Sequence, residues 1–344
     1  MLSIKLFPAE YGDCIMLSIG KENQYNILID GGLSKTYQKY IKSQIQHIKE
    51  KRQKIGLLVC THMDNDHICG LIQVLKEMNS DFIDNVWYNG FLQIVNSRFY
   101  SQKENSFTDR DNKILDEIIS QGVVSDAEQE IGINEGMSLG VLIEESKIPL
   151  NLVVEGRAIC SELVENRYEI ATNIFITVLG PSINNIIELE DHWKKEMVSR
   201  NYMFRVSDKI KLTAAFEYQI ERIKSIYTNE SFKICENEDL TKYIGDLSER
   251  DESIVNRSSI SFILEYNDKK YLFLGDTVID KAILKNIENV VGFEYRFSAI
   301  KLPHHGSRYN ITHDFISRYS ADEYYCLTNS IKYGHPDLEV LATI

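Results

Sequence analysis

Gly56-Leu57-Leu58-Val59-Cys60-Thr61-His62-Met63-Asp64-Asn65-Asp66-His67-Ile68-Cys69-Gly70-Leu71 is the stretch on which the reading of this chain turns. Gly56 to Cys60 is a short, apolar, β-prone run. A polar loop follows, Thr61 to Asp66, and then Ile68, Leu71, Ile72 and Leu75 recur at helical spacing. The unit is strand, loop, helix, and loops at strand ends commonly carry chemistry. Within six residues, His62, Asp64, Asp66 and His67 bring metal-competent side chains to the mouth of that helix. A polar turn with an aspartate helix cap accounts for one carboxylate and leaves the second and both histidines unexplained. Positions 62 and 64 can point one way and 66 and 67 toward a neighbouring position, an arrangement suited to two adjacent cations.

Upstream, three apolar runs, Leu2 to Phe7, Cys14 to Ile19 and Tyr25 to Ile29, are separated by Gly and polar residues in the manner of a strand meander. Tyr37, Ile41, Ile45 and Ile48 then predict a helix. Downstream the alternation returns. Ser259 to Tyr266 and Tyr271 to Leu274 read as paired strands, a helix is expected near Val278 to Ile287, a strand runs to Leu302, and a last strand lies around Tyr324 to Leu327. Between the halves, residues about 92 to 170 and 183 to 252 are richer in Glu, Lys, Asn and Ser, with helical patterns such as Ile114, Ile118, Ile119 and Phe216, Ile220, Ile223. These read as insertions. No Pro-rich linker or fixed-period repeat marks a boundary, so 1–344 is parsed as one elaborated α/β domain.

A hydrophobic content of 43% excludes a disordered chain. The net charge of −13 argues against a protein that coats nucleic acid through a general basic surface. Basic residues do cluster at Lys194, Lys195, Arg200 and Arg205, and again at Arg296, Lys301 and Arg308, where they could flank a cleft or simply form a solvated face. The six cysteines are scattered without a Cys-x-x-Cys pair, so reduced thiols are expected rather than a disulfide framework or a thiolate metal site. The N-terminus lacks a basic region followed by a long apolar run, and no stretch of about 18 apolar residues occurs. The expectation is a cytoplasmic protein without a membrane partner.

The segment Thr61 to Gly70 resembles the His-x-His-x-Asp-His signature of the metallo-β-lactamase superfamily, with Asp64 in place of the middle His. Within that superfamily, Thr/Ser-His-x-Asp-x-Asp-His-x-x-Gly is similar to the hydrolase domain of the ComEC/Rec2 DNA-uptake proteins and their freestanding relatives. Other segments agree in order: Tyr11-Gly12-Asp13-Cys14, Ile27-Leu28-Ile29-Asp30-Gly31-Gly32, Asn256 to Ser259 with Leu272-Phe273-Leu274-Gly275-Asp276, Lys301-Leu302-Pro303-His304-His305-Gly306-Ser307, and Asn329 with Tyr333-Gly334-His335-Pro336. The resemblance implies a four-layer αββα sandwich with helical insertions. It also implies two divalent metal ions, Zn²⁺ or Mn²⁺. One site would use His62, Asp64 and Asp276, and the other Asp66, His67, a histidine of the 304/305 pair and the bridging Asp276. Asp30 would support the metal loop from behind.

Adjacent residues on a strand point to opposite faces, so one of His304 and His305 is expected to bind metal and the other to face substrate. His304, directly after Pro303, is taken as the ligand, and His305 and His335 join Asp66 as catalytic residues. Asp13 reads as a turn residue that shapes the pocket, while His47, His192 and His313 lack metal spacing. The superfamily's third ligand motif has no counterpart at Val178-Leu179-Gly180-Pro181-Ser182, which leaves an oxygen-rich first site.

Two such cations activate water for hydrolysis. The resemblance points to a phosphodiester in single-stranded nucleic acid or a signalling nucleotide. Rival readings are hydrolysis of a non-nucleotide ester or lactone, a metal-retaining sensor, and a di-iron oxidoreductase on the same fold. The last needs a flavin partner domain.

Overall fold

Strict alternation writes two faces onto the first strands. In β2 (Ile15–Ile19), Ile15, Leu17 and Ile19 face one core and Met16 faces another. In β3 (Tyr25–Ile29), Ile27 and Ile29 face the first core and Leu28 the second. With β1 (Leu2–Leu6), β4 (Ile55–Val59) and β5 (Val86–Trp87) they form a five-stranded sheet in the order β1-β2-β3-β4-β5. The first two pairings are antiparallel, and β3-β4 and β4-β5 are parallel. This computed structural model describes residues 1–100, 109–122, 138–223, 240–245, 247 and 249–344.

A second sheet of six strands runs β11-β10-β9-β8-β7-β6. Its members are β6 (Tyr168–Ala171), β7 (Ile174–Gly180), β8 (Ser261–Tyr266), β9 (Lys269–Phe273), β10 (Tyr295–Lys301) and β11 (Tyr319–Tyr325). Ile176, Val178, Phe262, Leu264 and Phe273 meet Ile15, Leu17, Ile29, Val59 and Trp87 to fill the space between the sheets. The outer face of the first sheet is covered by α1 (Lys42–Glu50) and α2 (Asn65–Glu77) through Ile45, Ile48, Leu71 and Leu75. The outer face of the second is covered by α7 (Lys281–Val291) and α8 (His313–Arg318) through Ile283, Ile287 and Phe315. The layers are therefore helix, sheet, sheet, helix, as expected.

The stretches read as insertions supply α3 (Asp109–Gly122), α4 (Leu139–Ser146), α5 (Ile183–Ser199) and α6 (Lys209–Glu221). Leu115, Leu142, Trp193 and Phe216 from these helices share the core of α1 and α2. Parts of both stretches, at 101–108, 123–137 and 224–239, lie outside the described residues, as does Cys235. The other five cysteines are free thiols. The last strand needs correction: it is Tyr319–Tyr325, and Leu327 lies beyond its end.

Parallel pairing sets up the site. Ile29 registers with Val59 and Phe273 with Lys301, so β3 and β4 in one sheet, and β9 and β10 in the other, deliver their C-terminal ends side by side. Asp30, Thr61, Asp276 and the Pro303–Gly306 turn all follow directly from those ends.

Candidate metal centre

Asp30 sits at φ 53, a left-handed conformation that turns its carboxylate back under the next strand. Its Oδ1 accepts from the Thr61 amide at 2.8 Å, and Oδ2 accepts from Thr61 Oγ1 at 2.7 Å. The same Oδ2 lies 2.9 Å from His67 Nδ1, and Thr61 Oγ1 lies 3.0 Å from His62 Nδ1. Because the threonine hydroxyl already donates to Asp30, the His62 ring must donate its Nδ1–H to Oγ1, and His67 must donate its Nδ1–H to the carboxylate. Both imidazoles are thereby held with a bare Nε2 lone pair turned inward, the state a metal ligand requires.

Those nitrogens converge on one atom. Asp276 Oδ2 lies 3.8 Å from His62 Nε2, 3.4 Å from His67 Nε2, 3.9 Å from His304 Nε2 and 3.6 Å from His305 Nε2. His62, His67 and Asp276 form one set whose donor atoms lie within 4.8 Å of one another, and Asp66, His67 and His305 form another. His62 Nε2 and His67 Nε2 are buried with no hydrogen-bond partner. Orphaned buried groups of this kind are costly in a folded protein unless something else satisfies them, and a cation held between these groups would do so.

The helix that follows commits no aspartate to capping. Asp64 is the N-cap of α2 but makes no side-chain cap bond, and Asp66 lies in the first turn. Asp64 Oδ2 stands 3.4 Å from His62 Nε2 with its side chain 32% exposed, outside both donor sets. Asp66 Oδ2 is 3.7 Å from His305 Nε2 and 4.0 Å from His67 Nε2. Asn65 between them is held by Glu221 of α6, so the second insertion grips the metal loop directly.

The expectation that a straight strand would send His304 and His305 to opposite faces fails on backbone geometry. β10 ends at Lys301, and both histidines adopt left-handed φ, 44 and 54. Both rings consequently face Asp276. His304 Nδ1 lies 3.0 Å from Asn310 Oδ1 and 3.4 Å from Asp251 Oδ2, and His304 belongs to none of the donor sets among the described residues. His305 belongs to two of them. His335 stands behind His304 at 5.2 Å between ring centroids, with Nδ1 3.6 Å from Asp337 Oδ2. Val178 to Ser182 contributes to none of these donor sets either.

Three further residues enter that sequence reasoning left out of the centre. Asp13 is buried, with Oδ1 3.3 Å from His305 Nδ1. Lys301, read as part of a basic flank, is 1% exposed and pairs with Asp13 and Asp276 inside the centre. The signal available was its position after Phe297, Ala299 and Ile300 at the end of a strand. Tyr333 stacks toward His335 at 6.4 Å and packs edge-on against Tyr11 at 5.7 Å. Other basic candidates are engaged at the surface: Lys194 with Glu190, Arg200 with Glu196, Arg296 with Asp322 and Arg308 with Glu339. His47 and His313 are exposed and His192 half-buried, all away from the centre.

The electrostatics demand positive charge. Burial opposes the charged form of His67, yet Asp276 and Asp30 hold it well above the usual histidine range. Burial likewise opposes His305, but Asp276 and Asp13 raise it to about 10. Burial works to raise Asp276, and His305, His67 and His304 nonetheless hold it well below the carboxylate range. The carboxylates that retain protons on these rings are the ones that retain metal cations in their place. His335 differs: burial lowers it, so its ring is neutral near pH 7. Burial, then Asp66 and Asp64, push the Tyr333 phenol up, which keeps its hydroxyl a donor.

Residues 9–79 match the Metallo-beta-lactamase superfamily. With two packed sheets, outer helices and the centre at the strand ends, the fold is the metallo-β-lactamase αββα sandwich. Among solved structures the chain is similar to Zn²⁺-bound PqqB from Methylobacterium extorquens, with a TM-score of 0.32 and 9% identity. That alignment covers 84% of this chain and 59% of PqqB, so this chain spans less than two thirds of that protein's length. No curated protein matches the sequence. Among the described residues, no helix of this metallo-β-lactamase fold is long and apolar enough to cross a membrane.

Proposed function

We propose that this chain is a metal-dependent hydrolase that cleaves a phosphodiester, carried by single-stranded nucleic acid or a nucleotide, with two divalent ions, Zn²⁺ or Mn²⁺. The observation that carries the reading is the convergence of His62 and His67, each locked through Nδ1, on Asp276 Oδ2 beside Asp66 and His305. His62, Asp64 and Asp276 would hold one ion, and Asp66, His67, His305 and Asp276 the other. His305 replaces His304 in this assignment because its Nε2 joins the Asp66 and His67 donors.

Bound there, the ions would supply Lewis-acid stabilisation of a phosphoryl oxygen and bring the pKa of water toward about 7. The chain's own groups do the rest. Asp66 accepts a proton from, and orients, the attacking water. The neutral His335 offers an N–H donor to a non-bridging oxygen, and His304, anchored through Nδ1 by Asn310, packs against it and lines the same side of the centre. The Tyr333 hydroxyl, kept protonated by burial and the neighbouring acids, would donate to the leaving oxygen. The phosphodiester is supported by the Thr61 to Gly70 pattern, which resembles DNA-degrading ComEC-type domains, and the −13 charge favours a short or single-stranded substrate over long duplex.

The test is a single-stranded oligonucleotide, a cyclic dinucleotide and an aliphatic lactone incubated with protein loaded with Mn²⁺ or Zn²⁺, beside metal analysis. Phosphodiester cleavage abolished by chelator and restored by metal is expected. Lactone turnover without phosphodiester turnover would overturn the substrate, and a protein that binds no metal would overturn the whole reading.

A further inference from the structure

Among the described residues, Lys301 is the one lysine placed inside the centre. Its side chain is 1% exposed, and its ammonium touches three partners: an oxygen of Asp13, the carbonyl of Gly275 at 2.9 Å, and Asp276 Oδ1 at 3.6 Å. Gly275 adopts φ 53 and presents the same carbonyl to the His304 amide at 3.1 Å, so the lysine and the histidine turn share one acceptor. A buried ammonium is tolerated only when it is paired and hydrogen-bonded, and here it is both.

The two oxygens of Asp276 therefore have different surroundings. Oδ2 meets four imidazole nitrogens between 3.4 and 3.9 Å. Oδ1 meets Lys301. The corner that Lys301 fills is itself lined like a cation site, since Asp13, Asp276 and His305 bring donor atoms within 4.8 Å of one another. We propose that Lys301 is a positioning residue, a covalently tethered cation that fills the Asp13–Asp276 corner, occupies Asp276 Oδ1 and so restricts Asp276 to offering Oδ2 alone to the ions. Through Asp13 it also reaches His305, whose Nδ1 faces Asp13 Oδ1 at 3.3 Å. This inference rests on the reading of the centre as a metal site.

Lys301→Met removes the charge and keeps the volume. Asp276 is then free to bind through both oxygens and Asp13 becomes an added oxygen donor, which moves the site toward harder, higher-coordinate ions. Two readouts independent of turnover report it: the visible spectrum of Co²⁺-loaded protein, and the Mn²⁺-to-Zn²⁺ affinity ratio from chelator competition. Weaker Co²⁺ absorption and a ratio raised about tenfold are expected, in line with the effect of residues that orient ligands. Asp13→Asn, which leaves a charged Lys301 facing Asp276 Oδ1, is expected to change the spectrum less than Lys301→Met does.

A purely structural ion pair predicts the opposite pattern. The melting temperature falls in both variants while spectrum and ratio stay as in wild type, and that result overturns the proposal. If Lys301→Met does not fold, Lys301→Gln, which retains an N–H donor for Gly275, carries the same two readouts. Wild-type protein that binds no Co²⁺, Mn²⁺ or Zn²⁺ instead removes the metal reading beneath it.

Discussion

Gly70 and Gly31 meet backbone to backbone. The Gly70 amide donates to Gly32 at 2.9 Å, the Gly31 amide donates to His67 at 2.8 Å, and a Cβ added at Gly70 would fall on the Gly31 carbonyl. The contact docks the metal-loop helix on the strand end that carries Asp30, which gives both glycines a physical purpose. Gly70→Ala must push backbone against backbone, so a loss of about 3 kcal/mol in urea unfolding is expected. A stability within error of wild type would mean that α2 can shift without consequence.

Asp30→Asn keeps the shape and tolerates the left-handed backbone. It nevertheless cannot accept from Thr61 and from His67 Nδ1–H on both sides, since an amide nitrogen now meets a donor. A fall of about 10- to 100-fold in metal affinity with the fold intact is expected. Chelator competition measures it, and unchanged affinity would detach Asp30 from the histidines' orientation.

The two neighbouring histidines are separable by metal content. His305→Ala removes a member of the Asp66–His67–His305 set and should lower bound metal from two ions toward one. His304→Ala should retain both ions and lose turnover, because its ring lines the centre without belonging to any of the donor sets. Retention of both ions by the His305 variant and loss by the His304 variant would reverse the assignment.

One pH dependence originates away from the centre. Burial raises the Glu217 carboxyl to about 7, and hydrogen bonds from Tyr88, Gly140 and Leu139 only partly offset it. The folded state thus keeps a proton that the unfolded chain releases near pH 4.3. The stabilisation is complete below that value and is lost as pH rises through about 7, by on the order of 3 kcal/mol. Denaturant midpoints taken across this range should fall less steeply for Glu217→Gln than for wild type; parallel curves would show that Glu217 titrates normally.

The His62 to His67 loop was legible in the sequence because four metal-competent side chains in six residues on a strand-loop-helix unit have few other uses. The strand alternation was legible for the same reason that it buries two faces: β2, β3 and β8 each split their apolar residues between two cores. β11 was misplaced because it is an edge strand. Its Asp322 and Glu323 point to solvent, so hydropathy drew the expectation toward Leu327. Lys301 was misread, and Asp13 was credited only with shaping the pocket, because each is an ordinary surface residue by type. Only their pairing across the two sheets, invisible in local sequence, makes their burial possible. The His304–His305 geometry was hidden by two consecutive left-handed residues, which no period-two argument anticipates.

The centre is divided between the sheets, with His62 and His67 in the first and Asp276, Lys301 and His305 in the second. During synthesis the N-terminal histidines leave the ribosome more than two hundred residues before the acid on which they converge. A chain that stops before residue 276 holds both imidazoles but lacks the carboxylate on which they converge and the His305 ring beside it. The candidate centre is therefore a property of the packed pair of sheets, and neither half of the chain carries it alone.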